Sequence, residues 1–262
     1  MNKSEISMFS LNVRGLIAVT KRRKLFTWLK HQNAKVILLQ ETHCTKVKLK
    51  QFTNSWHGKS VYGLTDSSHS RGVGVLFHPK LDIDIKDTHD KNDGRTVLIN
   101  VSIERKQVII VNVYAPNDIN DRCKYFEELV TWVSEKAHNM EHVIVGGDFN
   151  CSLNMCDRST RTHVEDNSRK VLNNMLNKLN IIDVWTGKDK PLSGDHFTWH
   201  DSVTKSRIDY FFVSKLAMLN TLDVSSKIVI TDQIDKGLTD HKALILRMKI
   251  ETPDKGPGYW KF

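Results

Sequence analysis

The segment from His142 to Asn150, HVIVGGDFN, is the part of the sequence from which the fold is predicted. Val143 to Val145 form a short β-branched run that predicts a strand buried on both faces, and the two glycines that follow predict its end. Asp148 and Asn150 come next, and in an extended segment their side chains would face one cleft. An isolated segment of this kind is more often a turn whose side chains bind backbone amides. Whether Asp148 and Asn150 belong to an active site therefore depends on the residues that the other strands carry.

Other predicted strands carry a polar side chain in a comparable position. They are Ile6 to Val13 with Asn12, Val36 to Gln40 followed by Glu41, Val108 to Val113 followed by Tyr114, Ser206 to Val213 with Asp209, and Ala243 to Leu246 preceded by Asp240 and His241. Burying so many carboxylates and amides without partners is costly. We therefore expect these groups to face one another, a metal or a substrate in a single site.

Six motifs along residues 10 to 244 resemble, in order, those of the exonuclease-endonuclease-phosphatase superfamily, which includes DNase I and the apurinic endonucleases. They are SLNVRG (Ser10 to Gly15), LLQETH (Leu38 to His43), NVYAPN (Asn112 to Asn117), GGDFN (Gly146 to Asn150), SRIDYFFVS (Ser206 to Ser214) and LTDHKAL (Leu238 to Leu244). Within this superfamily, the sequence most resembles the endonuclease domain of LINE-type non-LTR retrotransposons. The resemblance lies in NVRGL, in GDFNxxLxxxDRS (Gly147 to Ser159) and in the terminal GPGYWKF.

Composition favours a globular protein with a polyanionic partner. The 262 residues include 39 Lys and Arg against 30 Asp and Glu, a net charge of +9, which suits nucleic acid or an anionic membrane surface equally. No apolar run approaches the roughly 18 residues of a membrane span, and the N-terminus lacks a signal-peptide core. We expect a soluble intracellular protein without a membrane partner. The four cysteines lack the CxxC spacing of a metal site, so reduced thiols are expected.

The periodicity of the chain predicts an α/β (α+β) fold: a four-layer sandwich of two mixed β-sheets packed face to face, with helices outside. Predicted helices are Lys21 to Asn33 after an N-cap at Thr20, Ile119 to Asn139, and Asn167 to Leu179. Ser60 to Val113 reads as an antiparallel meander, with a hairpin connection at Glu104 to Lys106. The endonuclease domain is expected over residues 1–251. Residues 252–262, rich in Pro and Gly, are expected to begin a linker toward a downstream reverse transcriptase region.

Glu41 is the best candidate ligand for Mg²⁺, which prefers carboxylate oxygens and keeps several waters. Asn12 and Asp240 are expected to complete the metal environment, and Mn²⁺ is an expected substitute. Carboxylates and a hard cation supply much of what phosphodiester hydrolysis requires, so Glu41 also counts among the catalytic residues.

The resemblance implies roles for the remaining catalytic candidates. Asp148 would orient or deprotonate the attacking water, while Asn150 and Tyr114 would hold phosphate oxygens. His241 would pair with Asp209, because a buried carboxylate keeps an imidazole protonated at neutral pH. The imidazolium would then either stabilise the phosphorane charge or donate a proton to the phosphate. The sequence leaves that choice open.

The polar stretch His200 to Arg207 matches a hairpin that lies against the DNA minor groove in the retrotransposon endonucleases. Lys205 and Arg207 would suit a narrow, electronegative groove, although such a stretch also fits a plain solvent-exposed turn. The resemblance places Thr198 near the phosphate and makes Arg158 a DNA contact. The full set of DNA-binding candidates is Arg14, Asn117, Arg158, Thr198, Lys205 and Arg207.

Taken together, the motifs predict a Mg²⁺-dependent DNA endonuclease that nicks one strand of double-stranded DNA. The resulting 3′-hydroxyl and 5′-phosphate would prime target-primed reverse transcription by the reverse transcriptase region of the same polyprotein. The domain is expected to be monomeric in isolation and to act in the nucleus. The alternatives are an apurinic repair endonuclease, a phosphoesterase acting on inositol phosphates or lipids, and a non-catalytic DNA-binding module.

Overall fold

Two six-stranded sheets dominate the computed structural model, which describes residues 3–32, 34–103, 106–160, 166–185, 196–220, 223–229 and 238–251. The first contains, in spatial order, β13 (Asp223–Val229), β14 (Ala243–Glu251), β1 (Lys3–Asn12), β2 (Val36–Gln40), β4 (Val73–Phe77) and β3 (Ser60–Gly63). The second contains β5 (Ile83–Asp90), β6 (Thr96–Ile103), β7 (Lys106–Tyr114), β8 (Val143–Asp148), β12 (Asp209–Ser214) and β9 (Ile181–Asp183). A separate hairpin pairs β10 (Trp199–His200) with β11 (Lys205–Ser206). Strands β1 and β2 are parallel, as are β7 and β8, so both sheets are mixed as predicted.

Helices cover the outer face of each sheet. The α-helices of the described residues are α1 (Val19–His31), α2 (Leu49–Ser55), α3 (Ile119–Lys136), α4 (Asn167–Lys178) and α5 (Lys215–Asn220), and a short 3-10 helix spans Met155–Asp157. Leu25 and Leu29 of α1 pack on the first sheet, whereas Phe126 of α3 and Leu172 of α4 pack on the second. The four-layer sandwich is therefore confirmed. None of the helices among the described residues has the length and apolarity to span a bilayer.

The core between the sheets is built from the apolar strand runs. Leu38 and Val75 of the first sheet belong to one cluster with Ile99 and Ile110 of the second, and all four are fully buried. Burying a side chain of this size stabilises the fold by about 1.5–3 kcal/mol. The amide groups of Gln40 and Asn112 bridge the sheets below the strand ends, with 2.7 Å from Nε2 to Oδ1. This hydrogen bond between two buried side chains also holds the two sheets together.

The prediction of one continuous meander is wrong, because its strands are divided between the two sheets. β3 and β4 pair within the first sheet, and the chain then crosses to the second sheet, where β5, β6 and β7 are antiparallel neighbours. The α1 helix also begins earlier than predicted, at Val19 after Ala18, and no side chain caps it. Thr20 consequently lies inside the helix. Of the predicted hairpin connection Glu104 to Lys106, residues 104 and 105 lie outside the described residues, and Lys106 begins β7. The predicted linker at residues 252–262 also lies outside the described residues.

The two glycines of β8 continue the strand, contrary to the predicted break. β8 runs from Val143 through Gly147 to Asp148, and Gly147 has a φ of +143°. A Cβ at Gly147 would collide with the backbone carbonyl of Val113 in β7, so only glycine permits this close approach. Asp148 thereby aligns with Tyr114 at the carboxyl ends of a parallel strand pair, which is where open sheets place their chemistry.

Candidate active site

A polar cavity of about 370 Å³ lies where strand ends of both sheets meet. Asn12 ends β1, Glu41 follows β2 and Asp148 ends β8. Asp209 begins β12 and was predicted inside a strand; it pairs in register with Asp148 because β12 runs antiparallel to β8. Of the predicted catalytic and metal-binding residues, those that line the cavity are Glu41, Asp148, Asn150, Asp240 and His241.

His241 lies between two carboxylates. Its Nδ1 is 2.9 Å from Oδ2 of Asp209, and its Nε2 is 3.8 Å from Oδ2 of Asp148. All three residues are buried. The hydroxyl of Thr198 accepts hydrogen bonds from the backbone amides of Ile208 and Asp209, at 3.1 and 3.2 Å. The predicted contact of Thr198 with DNA is wrong, because its side chain is fully buried and supports Asp209 instead.

Each charge in this group shifts the pKa of its neighbours. Burial, together with the nearby Asp209 carboxylate, raises the pKa of Asp148 to about 7. Burial acts to lower the pKa of His241, but the negative charges of Asp209 and Asp148 outweigh it and raise that pKa to about 9. Between these values the imidazole is a cation and Asp148 is a carboxylate that takes up a proton readily.

Hydrogen bonds fix both oxygens of Asp148. Asn12 donates from Nδ2 to Oδ2 of Asp148 at 2.9 Å and to Oε1 of Glu41 at 3.1 Å, and so bridges two carboxylates. The backbone amide of Asn150 donates to Oδ1 of Asp148 at 2.9 Å. Asn150 has a φ of +48°, so the predicted extended segment is wrong even though both side chains reach the cavity. Tyr114 ends β7 near Glu41, and burial together with the Glu41 charge raises the pKa of Tyr114 far above its usual range.

The partly exposed carboxylates of the cavity suit a hard cation. The side chains of Glu41 and Asp240 are 23% and 33% exposed, which leaves room for the waters that Mg²⁺ retains. Asp148, Asp209 and His241 also bring ligand atoms within 4.8 Å of one another. Imidazole suits softer metals, however, and both oxygens of Asp209 lie within hydrogen-bonding distance of His241. The donor set at Glu41 and Asp240 is therefore the better fit for Mg²⁺.

Asn12 differs from its predicted role as a metal ligand. Its Oδ1 accepts a hydrogen bond from the backbone amide of Arg14 at 3.0 Å, so the side chain turns its amide group toward the carboxylates. It orients Glu41 and Asp148 through its amide nitrogen, so the nitrogen and not the oxygen faces these two carboxylates. Asp240 is held by Nη1 of Arg14 at 3.4 Å and by Nε1 of Trp199 at 3.2 Å.

Lys21, the first residue of the predicted helix Lys21 to Asn33, lies beside the site, and none of the six motifs indicates this position. Its ammonium group donates to the carbonyl oxygen of Arg14 at 3.0 Å. Burial and Arg14 lower the pKa of Lys21, while the nearby charges of Asp240 and Glu41 raise it. Arg22 points into the protein and is buried. The sequence signal for Lys21 is its position at the start of the helix that follows NVRG.

The predicted DNA contacts divide into exposed and buried side chains. Arg14, Asn117 and Arg158 line the cavity, and Lys205 is exposed on the hairpin. Arg207 is only 1% exposed and is paired with buried aspartates. The prediction that Arg207 touches DNA is therefore wrong. Arg169 of α4 also lines the cavity, and the sequence patterns did not single it out.

A sandwich of two mixed sheets whose strand ends hold a buried His-Asp pair and several carboxylates defines the class of DNase I-like nucleases and phosphoesterases. A family model described as the Endonuclease/Exonuclease/phosphatase family matches residues 9–241, and the chain belongs to this family. The chain is 26% identical over 260 residues to the "Transposon TX1 uncharacterized 149 kDa protein" of Xenopus laevis. That alignment covers 98% of this chain but only 19% of the length of the Xenopus protein.

Two solved structures share the fold at low sequence identity. An AP endonuclease from Archaeoglobus fulgidus has a TM-score of 0.72 and 16% identity, with 92% of this chain and 98% of that chain covered. The endonuclease domain of TRAS1, a telomere-specific non-LTR retrotransposon, has a TM-score of 0.64 and 15% identity, with 94% and 98% covered. Both confirm the architecture that the motifs predicted.

Proposed function

We propose that this chain is a Mg²⁺-dependent DNA endonuclease that nicks one strand of duplex DNA. The observation that carries the proposal is the position of His241 between Asp209 and Asp148, beside a cavity that Glu41 and Asp240 also line. Phosphodiester hydrolysis needs a nucleophilic water, a counter-charge for the pentavalent transition state and help for the leaving alkoxide. The cavity contains a candidate group for each requirement.

Asp148 is the group that we assign to the attacking water. A carboxylate with a pKa of about 7 takes up a proton efficiently near neutral pH. Its two oxygens are held by Asn12 and by the backbone amide of Asn150, which fixes its orientation. His241, kept cationic by Asp209, faces the same space and would stabilise negative charge on the phosphoryl oxygens.

Glu41 and Asp240 are the residues that would hold Mg²⁺ or Mn²⁺. When bound there, such an ion would supply positive charge opposite the phosphate. The amide of Asn12 donates to Glu41 and so keeps its carboxylate in place. We assign the carboxamide of Asn150 to a phosphate oxygen, because it lines the cavity next to Asp148.

Duplex DNA is the substrate class that the charge distribution favours. The net charge is +9, and Arg14, Arg158 and Arg169 surround the cavity. Arginines around a cleft attract phosphates and release counterions on binding. The β10–β11 hairpin borders the same cavity and carries exposed Lys205. A projecting ribbon of this kind suits the groove of a duplex better than a small inositol phosphate.

The role that we propose for the nick is to prime reverse transcription by a non-LTR retrotransposon. Similarity to the Xenopus transposon protein runs along almost the whole chain, and that relative is much longer. This supports a fragment of a polyprotein that carries a reverse transcriptase and acts on chromosomal DNA in the nucleus. Such a polymerase needs a 3′-hydroxyl, which hydrolysis with the 3′ oxygen as leaving group would provide.

Nicking of a supercoiled plasmid in the presence of Mg²⁺ tests this proposal. We expect EDTA to abolish nicking. Glu41→Ala and Asp148→Asn should each retain less than about a tenth of the wild-type rate, a loss of at least about 1.4 kcal/mol. Affinity for DNA should persist, since neither residue belongs to the basic surface. Polymerase should extend the nick without prior phosphatase treatment. Either variant nicking at more than a tenth of the wild-type rate would refute its assigned role.

Two further substrates separate the alternatives. An apurinic repair endonuclease would cut a duplex with one abasic site far faster than the intact duplex, whereas we expect comparable rates. A soluble inositol polyphosphate should release no phosphate. Tight DNA binding by a wild-type chain that does not nick in Mg²⁺ would favour a binding module instead.

A further inference from the structure

The two segments that we assign to DNA contact are joined into one structural unit. The backbone amide of Ser159 donates to the carbonyl oxygen of Lys205 at 2.9 Å, and the amide of Lys205 donates to Oγ of Ser159 at 2.8 Å. The amide of Arg207 donates to the carbonyl oxygen of Asp157 at 2.8 Å. Asp157 ends a short 3-10 helix, and Arg158, which follows it, forms an antiparallel β-bridge with Ser206 of the hairpin. We name residues 157–159 and 199–207 together the contact unit.

Buried ion pairs anchor the contact unit to the second sheet. Nε of Arg207 is 2.8 Å from Oδ1 of Asp157, and its Nη1 is 2.7 Å from Oδ2 of Asp183. The side chains of Arg207, Asp157 and Asp183 are 2%, 0% and 4% exposed. The guanidinium also lies 4.6 Å from the ring centre of Tyr210, whose hydroxyl donates to the carbonyl oxygen of Arg207. Asp183 lies in β9 and Tyr210 in β12, so one side chain fixes the unit to two strands.

The contact unit also touches the catalytic group. Thr198, immediately before it, supports the backbone of Asp209, and Nε1 of Trp199 donates to Asp240. Trp199 also forms a β-bridge with His241. A shift of the unit would therefore change how the hairpin and Arg158 lie relative to the reacting phosphate.

We infer that Arg207 is a positioning residue for target-site selection: through Asp157 and Asp183 it sets the angle at which Arg158 and Lys205 meet the duplex. This inference rests on the proposed DNA-nicking function. Arg207 itself is too buried to touch DNA. Its planar fork pairs with two separate carboxylates, and lysine cannot reproduce that geometry.

Arg207→Lys tests the inference, with Arg22→Lys as a matched control. Arg22 is also a buried arginine, with its guanidinium 4.7 Å from the ring centre of Phe52. It binds the carbonyl oxygen of Leu16 and the hydroxyl of Ser55 in α2, in the helical layer and away from the contact unit. Nick positions are mapped on one long duplex at a temperature where both variants are folded. We expect Arg207→Lys to lower the relative use of the preferred sites by about tenfold, within the range that a displacement of about 1 Å produces. Arg22→Lys should keep the wild-type pattern.

Hydrogen exchange measured without DNA tests whether the segments of the contact unit are linked, and it does so independently of nicking activity. In Arg207→Lys, the amides of Thr198, Ser159 and residue 207 should all exchange faster by a similar factor, whereas Arg22→Lys should leave them unchanged. Ser159→Ala removes only the bond to the Lys205 amide and serves if Arg207→Lys does not fold; it should loosen the hairpin and shift the nick pattern in the same direction.

Two results would overturn the inference. One is a nick pattern that stays the same in Arg207→Lys, or that changes equally in Arg22→Lys. The other is faster exchange in a single segment of the unit, which would show that the segments move separately. A wild-type chain that never nicks DNA refutes the proposed function instead, and the exchange data still decide whether the unit is coupled.

Discussion

At the scale of single residues, the site depends on one imidazole held between two carboxylates. Asp209 binds Nδ1 of His241, which leaves Nε2 facing Asp148 and the cavity. Burial makes an isolated charge unfavourable here, so the imidazolium and the carboxylates stabilise one another. Asp148 consequently becomes a base near neutral pH, while His241 stays protonated well above it.

This pairing predicts a pH window for nicking. Activity should rise as Asp148 loses its proton around pH 7 and fall as His241 loses its proton around pH 9. The Asp209 charge raises both pKa values, so Asp209→Asn should move both limbs of the profile to lower pH as well as slow the reaction. Rates from pH 5.5 to 10, with an NMR titration of the His241 ring in metal-free protein, measure both. A His241 pKa that stays near 9 in Asp209→Asn would contradict this account.

Each motif residue could be predicted from the sequence, whereas the distant residues that pair with a given side chain could not. Asp148, Glu41 and His241 interrupt apolar runs, so the sequence marks them as costly to bury without a role. Lys205 and Arg207 look alike in the sequence, yet one is exposed and the other fully buried. The difference lies in the pairing of Arg207 with aspartates 24 and 50 positions away, and local patterning contains no signal at that distance.

At the scale of elements, the strands were predictable and their sheet membership was not. Runs of β-branched residues predict strands because a pleated, buried surface favours them. The chain nevertheless leaves the first sheet after β4 and enters the second at β5, and this crossing depends on non-local pairing. The predicted break at Gly146 and Gly147 is wrong for the same reason. The close approach of Val113 in β7 explains Gly147, and the side chains of Phe211 and Leu38 leave no room for a Cβ at Gly146.

The β10–β11 hairpin is the element whose removal should change specificity and leave the chemistry intact. Its turn is ordered, since the carboxylate of Asp201 accepts a hydrogen bond from the amide of Val203 at 2.7 Å, and Val203 is 78% exposed. Replacing His200 to Lys205 with a Gly-Ser turn should alter the nick pattern on a long duplex while Mg²⁺ dependence persists. Val47→Ser, at an equally exposed valine on another loop, is the control. Unchanged preferred sites would assign specificity to the segment around Arg158.

At the scale of the whole molecule, the two sheets form the cavity and the net charge determines which class of ligand it attracts. The sheets bring carboxylates to one polar cavity, and the basic excess is available to attract a polyanion to it. The family model spans residues 9–241, so the motifs and the fold describe the same stretch of chain. The domain limit at residue 251 stays a prediction.

The salt dependence of DNA binding should show which basic residues meet phosphates. Each neutralised phosphate contributes about −0.9 to the slope of log affinity against log salt. Arg158 and Lys205 reach the cavity or solvent, so Arg158→Ala and Lys205→Ala should each make the slope shallower by about one. Arg22→Lys should leave the slope unchanged, because Arg22 is buried and donates to oxygens of Leu16 and Ser55. Fluorescence anisotropy with a duplex at increasing KCl measures the slopes. If removing Arg158 weakens binding equally at every salt concentration, Arg158 does not neutralise a phosphate, and its loss acts through the shape of the contact unit.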